Sequence, residues 1–358
     1  MNFDRLDFAA LKAIGLKQPL IQQLASLGAP PGAALERVTE VQREHYLLHD
    51  GHGEWPARIH PTLWQALAAD SDALVVGDWV LVLPDAQGGT RWIVQRVPPL
   101  NRLVRRDTRG ARAPLVANID WALLVMGLDS DYNLGRLERY LTWTQLVEVR
   151  ALVVLTKADI AAEVEARVDA CRARLPREVE VRAVNGLAAV TRELLAPWLA
   201  AGDTAVLLGS SGAGKSTLTN TLVGQLVQDT GAVRRGDERG QHTTTARTLY
   251  RLPGGACLID TPGLRTLQLD AAEGAVAATF DDIVRLAPQC RFRDCRHVEE
   301  PGCRVRDAVA PERLKNYQKL LREARRDQLT VLDRRVQLAT WKARSRAAKA
   351  RMREKVGA

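Results

Sequence analysis

A glycine-rich loop between an apolar run and a helix-like segment constrains the fold more than any other stretch. Residues 204–208 are apolar, and Gly-Ser-Ser-Gly-Ala-Gly-Lys-Ser follows at 209–216. Glycines let such a loop curl so that successive N–H groups point at phosphate oxygens, and the positive end of the next helix adds to this attraction. A strand, loop and helix with this spacing predict a nucleoside triphosphate site.

The loop supplies most of the predicted nucleotide contacts. The Lys215 ammonium can bridge the β- and γ-phosphates, which makes it a candidate catalytic residue, and the Ser216 hydroxyl can bind Mg²⁺. The predicted contacts are Gly209, Ser210, Ser211, Gly212, Ala213, Gly214, Lys215, Ser216 and Thr217.

The chain before this loop alternates strand-like and helix-like segments. Apolar runs typical of buried parallel strands are followed by segments with helical spacing. The predicted strands are 119–126, 151–155 and 179–184, and the predicted helices are 133–147, 160–175 and 191–199. This alternation predicts a doubly wound α/β sheet, in which ligands bind beyond the carboxyl ends of the strands.

A possible base-recognition motif follows the strand at 151–155. It comprises Thr156, Lys157, Ala158 and Asp159. The Asp159 carboxylate can accept hydrogen bonds from N1–H and the exocyclic amine of guanine, whereas adenine lacks that donor pair. The motif resembles the guanine signature N/T-K-x-D, with Thr in place of the usual Asn, and we therefore expect slightly weaker guanine binding. Asn185 and Gly186, after the next strand, mark a second, nondescript loop near the base.

A third motif, Asp-Thr-Pro-Gly, follows the apolar residues 257–259. Asp260 can hold Mg²⁺ through water and the Gly263 amide can meet the γ-phosphate. Leu264 stands where many GTPases carry the glutamine that orients the attacking water. His242 is the nearest candidate for that role, and the alternative is an exposed loop histidine. Either Thr244 or Thr245 is expected to close onto Mg²⁺.

The order of these motifs predicts a circular permutation. The guanine motif at 156–159 precedes the phosphate loop, whereas in ordinary GTPases it comes last. The γ-phosphate-sensing segment then lies at the C-terminal end of the GTPase domain. Whatever follows is joined directly to that segment, and hydrolysis can move it.

Residues 36–106 contain a series of short strand-like runs, which predicts a small OB-type β-barrel. The predicted strands are 38–48, 55–59 and 91–97, and residues 74–83 are predicted to contain a turn followed by a strong strand. Such barrels often bind nucleic acid with aromatic and basic side chains, and the same tryptophans can instead form the barrel core. The candidates are Tyr46, Trp55, Trp79, Trp92, Arg58, Arg91, Arg96, Arg102, Arg105 and Arg106.

The C-terminal part combines a metal-binding pattern with a basic tail. Cys290, Cys295, His297 and Cys303 form a closed Cys₃His set suited to one structural Zn²⁺. Residues 311–358 hold 15 Lys and Arg against 5 Asp and Glu, which accounts for the formal net charge of +9. This tail indicates a polyanionic partner, either nucleic acid or an anionic membrane, although a solvated helical face has the same composition.

The predicted organisation is multidomain. We expect an N-terminal extension at 1–35, the OB-type barrel at 36–110, a circularly permuted P-loop GTPase domain at 111–272, and a mostly helical zinc-binding domain with the basic tail at 273–358. No apolar run approaches the roughly 20 residues of a membrane span, the N-terminus does not resemble a secretory signal, and clustered cysteines favour a reducing compartment. We expect a cytoplasmic monomer that contacts no membrane.

Together these motifs closely resemble the ribosome small-subunit-dependent GTPases, the RsgA/YjeQ family. The resemblance rests on the barrel, the permuted motif order, His-Thr-Thr-Thr at 242–245 and the Cys-Cys-His-Cys run with Pro301-Gly-Cys303. It implies a GTPase that acts late in assembly of the small (30S) ribosomal subunit. The barrel and zinc domain would dock on rRNA, and the subunit would stimulate hydrolysis. Family members also typically have an apolar residue at the position of Leu264, whereas Thr156 and the extended basic tail depart from the pattern.

Two alternatives remain open at this stage. The protein could be a nucleic-acid-binding module that uses guanine nucleotide only as a conformational latch, or an ATP-driven nucleic-acid enzyme. Turnover after His242→Ala would separate the latch from the hydrolase, and competition by ATP would test the base preference.

Overall fold

The computed structural model describes residues 6–42, 45–84, 90–106, 112–228, 247–261 and 273–327. The chain divides into two compact units, Met1–Gln268 and Leu269–Ala358. The α-helices are α1 (Phe8–Ala13), α2 (Gln18–Ser26), α3 (Pro61–Ala69), α4 (Leu134–Leu146), α5 (Val164–Arg172), α6 (Val190–Leu195), α7 (Lys215–Val223), α8 (Glu273–Thr279), α9 (Asp281–Leu286), α10 (Arg304–Ala308) and α11 (Pro311–Asp327). The strands are β1 (Ala34–Gln42), β2 (His45–His49), β3 (Glu54–Ile59), β4 (Trp79–Pro84), β5 (Arg91–Arg96), β6 (Arg102–Arg106), β7 (Arg112–Ala117), β8 (Trp121–Gly127), β9 (Arg150–Thr156), β10 (Glu180–Ala183), β11 (Thr204–Leu208), β12 (Thr248–Arg251) and β13 (Cys257–Asp260).

Five strands of the first unit close into the predicted OB-type barrel. Their order around the barrel is β1-β2-β3-β5-β4, and β4 pairs back onto β1. Only β3 and β5 run parallel, and α3 lies between β3 and β4 in sequence. Val38, Leu48, Val80 and Ile93 fill the interior and are fully buried. The single strand predicted at 38–48 is wrong, because this stretch contributes to both β1 and β2, which pair antiparallel.

The predicted α/β sheet is also present. Its strand order is β10-β9-β8-β11-β13-β12, in which the first five strands are parallel and β12 is antiparallel to β13. Strand β11 is buried along its whole length, as a central strand covered on both faces must be. Strand β12 also pairs with β1, at Glu40 and Thr248, so the barrel and the α/β sheet share one continuous sheet. Sequence reasoning missed β12 and the β6–β7 hairpin.

The N-terminal helices pack within the first unit through apolar side chains and one buried arginine. The core includes Leu11, Leu20 and Leu24 of these helices. The fully buried Arg37 of β1 donates to the Ile14 carbonyl, to Thr204 Oγ1 (2.9 Å) and to the Asn118 carbonyl (3.1 Å). One guanidinium thus joins the N-terminal segment, the barrel and the base of the α/β sheet.

The second unit is helical around its metal-ligand cluster. Arg313 of α11 pairs with Asp282 of α9 at 2.7 and 2.9 Å. The rings of Phe280 and Tyr317 pack with their centroids 5.4 Å apart. The basic tail beyond Asp327 lies outside the described residues. None of the helices in the described part of the chain has the length and hydropathy that a membrane span requires.

Candidate nucleotide-binding site and metal centre

The carboxyl ends of neighbouring parallel strands bring the guanine motif against the phosphate loop. Thr156 ends β9, and its hydroxyl donates to the Ala213 carbonyl at 2.6 Å. Lys157 Nζ donates to the Gly212 carbonyl at 2.7 Å and to an Asp129 carboxylate oxygen, also at 2.7 Å. Two loops that are distant in sequence therefore form one wall of the site.

Two positions of the phosphate loop require glycine, because other parts of the chain lie too close to the backbone there for a side chain. A Cβ on Gly209 would lie 2.4 Å from the Val125 carbonyl oxygen, which is too close for any side chain. Gly214 has a φ of +89°, and a Cβ there would lie 3.1 Å from the Thr156 hydroxyl. Their positions explain why the loop needs glycine at both ends.

The Lys215 ammonium lies inside the loop at the start of α7. Its Nζ donates to the carbonyls of Gly209 (3.0 Å) and Ser210 (2.7 Å). Burial lowers the pKa of Lys215, and the negative charges of Asp260 and Asp131 oppose that shift. The ammonium is thus largely desolvated, which strengthens its attraction for any phosphate that enters the loop.

Asp260 occupies the end of β13, as its motif predicts, and only 6% of its surface is exposed. Burial raises the pKa of Asp260 to about 6, against the opposing charge of Lys215. The hydroxyl of Thr261 donates to the Leu207 carbonyl at 2.6 Å and holds this strand end beside β11. A nearby cation stabilises the charged form of a buried carboxylate. Asp260 with the Ser216 hydroxyl therefore fits Mg²⁺, which prefers oxygen ligands.

The predicted base-recognition residues lie on two adjacent strand ends. Asp159 is exposed in the turn after β9, and its carboxylate has no hydrogen-bond partner among the described residues. The Ala158 amide donates to the Val184 carbonyl at 3.2 Å, which fixes this turn to the end of β10. The Thr221 hydroxyl donates to the Gly186 carbonyl at 2.6 Å and holds the second loop against α7.

Two acidic residues that contact the site were missed by sequence reasoning. Asp129 pairs with Lys157, and the Ser210 hydroxyl donates to Asp131 at 2.6 Å. Both carboxylates follow β8, the strand between β9 and β11. The rule that residues after parallel strands deserve inspection would have found them, had it been applied to β8.

Several predicted residues lie outside the described part of the chain. These are His242, Thr244, Thr245, Gly263 and Leu264. Their assigned roles stay predictions.

The four predicted metal ligands come together in the second unit. The ligand atoms of Cys290, Cys295, His297 and Cys303 all lie within 4.8 Å of one another. His297 Nδ1 is 3.4 Å from the Cys303 sulfur and 3.7 Å from the Cys290 sulfur. Three sulfurs and one imidazole nitrogen at this spacing can hold one metal ion, and the donor chemistry fits Zn²⁺.

The comparisons with known proteins agree with this geometry. A model of the RsgA GTPase family matches residues 97–270, and an ABC transporter model matches residues 198–345, a stretch that includes the phosphate loop. The small ribosomal subunit biogenesis GTPase RsgA 2 of Vibrio vulnificus (strain CMCP6) is 40% identical over 319 residues, which cover 87% of each chain. The small ribosomal subunit biogenesis GTPase RsgA of Xanthomonas oryzae pv. oryzae (strain MAFF 311018) is 40% identical over 327 residues, or 88% of each chain.

The chain belongs to the RsgA GTPase family. Two crystal structures share the fold of this GTPase. YjeQ from Thermotoga maritima has a TM-score of 0.59 at 23% identity, covering 82% of this chain and 98% of its own. YloQ, a circularly permuted GTPase, has a TM-score of 0.56 at 19% identity, covering 84% of this chain and 98% of its own. The predicted family, the GTP hydrolase class and the permuted motif order are confirmed.

The aromatic candidates of the GTPase's barrel divide into core and surface. Trp79 is fully buried and Tyr46 is 7% exposed, so both belong to the core. Trp55 is 45% exposed, with the Arg91 guanidinium 4.6 Å from its ring centroid. Trp64 of α3, which sequence reasoning did not single out, is 58% exposed.

The basic candidates of the barrel divide in the same way. Arg96 of β5 and Arg102 of β6 form ion pairs with Asp72 at 2.8 and 2.6 Å, so they stabilise the structure of the first unit. Arg58 of β3 is exposed. Fewer of the candidate side chains are therefore exposed for contact with nucleic acid than the sequence predicts.

Proposed function

We propose that this GTPase acts in late maturation of the small ribosomal subunit and that the subunit stimulates its GTP hydrolysis. The observation that carries the proposal is the 40% identity, over 87% of both chains, to a small ribosomal subunit biogenesis GTPase. The nucleotide site supports it, because both loops that a GTPase needs are assembled and interlocked by Thr156 and Lys157.

Guanine selection rests on Asp159. Its exposed carboxylate stands free of the described residues and can accept both N–H donors of guanine, while the Lys157 stem covers the base. We therefore expect GTP and GDP to bind and ATP to compete poorly.

Hydrolysis requires the phosphate chain to be held and water to be placed. Lys215 would bind β- and γ-phosphate oxygens, and Ser216 with Asp260 would hold Mg²⁺, which neutralises the charge that develops on the phosphates. Thr244 or Thr245 would complete the metal contacts, and the Gly263 amide would meet the γ-phosphate. His242 would orient the attacking water, since Leu264 has no polar group.

Contact with rRNA would use one surface in each unit. On the barrel, Trp55 with Arg91 and the exposed Trp64 offer stacking and positive charge. In the second unit, the exposed Phe292 packs beside the Arg291 guanidinium, 5.6 Å from the ring centroid. One structural zinc ion would hold that segment in shape. We further propose that the protein is a cytoplasmic monomer.

Co-sedimentation with purified small subunits tests the proposal. The full chain should be retained with a non-hydrolysable GTP analogue and released with GDP. Trp55→Ala should weaken retention, whereas Arg172→Gln, a change in the surface of α5, should not. Subunit-dependent action would be contradicted if the same amount of protein sedimented without subunits, or if the subunits retained the protein equally with the GTP analogue and with GDP.

A further inference from the structure

A cavity of about 360 Å³ lies within the first unit, away from the phosphate loop. It is formed where the barrel, the β6–β7 hairpin and the start of β12 meet. Most of its lining side chains are apolar, and they include Val41 of β1, the loop residues 73–76 and Ala113–Leu115 of β7. Arg247, the residue before β12, supplies the positive charge in this lining, and Asp72 supplies the negative charge. Small-molecule sites are usually cavities that combine apolar side chains with a few polar groups.

Arg247 lacks the partner that a half-buried guanidinium needs. Its Nε is buried and has no hydrogen-bond partner, and it forms no ion pair with the described residues. Buried polar groups without partners are uncommon, and each calls for an explanation such as a bound ion.

A second arginine nearby also has a buried Nε without a hydrogen-bond partner. It is Arg105, which lies on β6 opposite Ala113. Burial first, and the charge of Arg105 second, lower the pKa of Arg247. Directly opposite residues of an antiparallel pair share a face, so Arg105 lies on the same side of the hairpin as Ala113, which lines the cavity. An anion on that side would be attracted by both arginines.

The acidic group in the cavity wall does not meet this need. Asp72 accepts from Arg102 at 2.6 Å and pairs with Arg96 at 2.8 Å, and it also accepts the Ala73 amide at 2.8 Å. Its carboxylate is thus fully engaged by other groups. The positive charge of Arg247 and Arg105 is left without compensation by the described residues.

We propose that this junction cavity binds a phosphate group, held by Arg247 and Arg105, with the attached organic part against the apolar wall. Guanidinium forks match phosphate oxygens in geometry and charge. The phosphate can belong to a soluble phosphorylated compound or to an RNA backbone.

Equilibrium dialysis with radiolabelled inorganic phosphate tests the site. The full chain is first saturated with GDP and Mg²⁺ so that the phosphate loop is filled, and ionic strength is held constant with chloride. We expect one phosphate per chain, with affinity at least about tenfold weaker in Arg247→Gln and Arg105→Gln. Arg172→Gln, which removes a surface arginine paired with Asp169, should bind phosphate as the parent does.

Folding of the variants is checked by their GDP affinity and melting temperature without phosphate. Each should bind GDP normally and melt no lower than the parent, because removing one arginine relieves repulsion. A parent chain that binds no phosphate, or an Arg247→Gln chain that binds it unchanged, overturns the proposal. Displacement of bound phosphate by a short single-stranded RNA would assign the site to RNA, and displacement by pyrophosphate alone would assign it to a soluble compound.

Discussion

Replacing Thr156 by Val removes the hydrogen bond that joins the guanine motif to the phosphate loop while keeping the side chain's size. Thr156 is 1% exposed and its hydroxyl donates to the Ala213 carbonyl at 2.6 Å, so water cannot replace the lost donor without rearrangement. Leaving a buried carbonyl unpaired costs about 1–3 kcal/mol. If this cost destabilises the loop conformation that binds nucleotide, the Kd for GDP rises about 5- to 150-fold.

Fluorescence titration with a labelled GDP measures this effect directly. Thr156→Ser is the matched control, since it keeps the hydroxyl and should stay close to the parent. The melting temperature without nucleotide should fall in Thr156→Val and not in Thr156→Ser. Equal GDP affinity and equal melting temperature in all three chains would refute the idea that this bond shapes the site.

Three further changes test other parts of the structure. Burial raises the pKa of Glu36 in the barrel to about 7, despite its ion pair with Arg91. Between about pH 4.5 and 7 the Glu36 carboxyl is ionised in the unfolded chain but still protonated in the folded chain. The free energy of unfolding should therefore fall by about 3 kcal/mol as the pH rises through this range, and then level off. Denaturant titrations across this range should show the loss in the parent and a flatter curve in Glu36→Gln; identical curves would contradict the assignment. Asp159→Asn should reduce the preference for GTP over ATP by about 100-fold, measured by competition, through the loss of charged hydrogen bonds to guanine; an unchanged preference would remove Asp159 from base recognition. Cys303→Ser, or a strong chelator, should remove one zinc per chain by metal analysis and unfold the second unit, because structural zinc contributes folding energy directly; a zinc-free chain with unchanged helix content would show that the cluster is not structural.

The nucleotide site could largely be predicted because its motifs have both a local and a topological signature. Parallel strands read as apolar runs, and their carboxyl ends share one edge of the sheet, so the residues after each run had to meet. This predicted that Thr156, Lys157, Lys215 and Asp260 lie at one edge of the sheet, and the structure has them there, while their roles stay predictions. Asp129, which follows β8 at the same edge of the sheet, was missed.

The barrel was harder to predict in detail. Its alternation identified the strands, but not the break between β1 and β2, since residues 38–48 read as one continuous run. Composition alone could not separate Trp79 from Trp55, because a tryptophan's burial depends on which face of the closed barrel its strand presents. The structure decides this, with Trp79 inside and Trp55 outside.

Long-range partners of buried charges could not be predicted at all. Arg37 lies in an ordinary strand sequence, yet its guanidinium bonds Ile14, Asn118 and Thr204, which come from three separate segments. The same holds for Arg247, whose surroundings come from the barrel and the hairpin. Such sites depend on how segments pack and leave no periodic signal in the sequence.

The rate of GTP turnover with and without purified small ribosomal subunits tests the central claim most directly. The chain has Leu264 in place of a water-orienting glutamine, so turnover by the free protein should be slow. Saturating subunits should raise the rate by roughly 10³-fold or more, the scale on which catalytic groups supplied by a partner act. A rate that does not change when subunits are added would contradict the account.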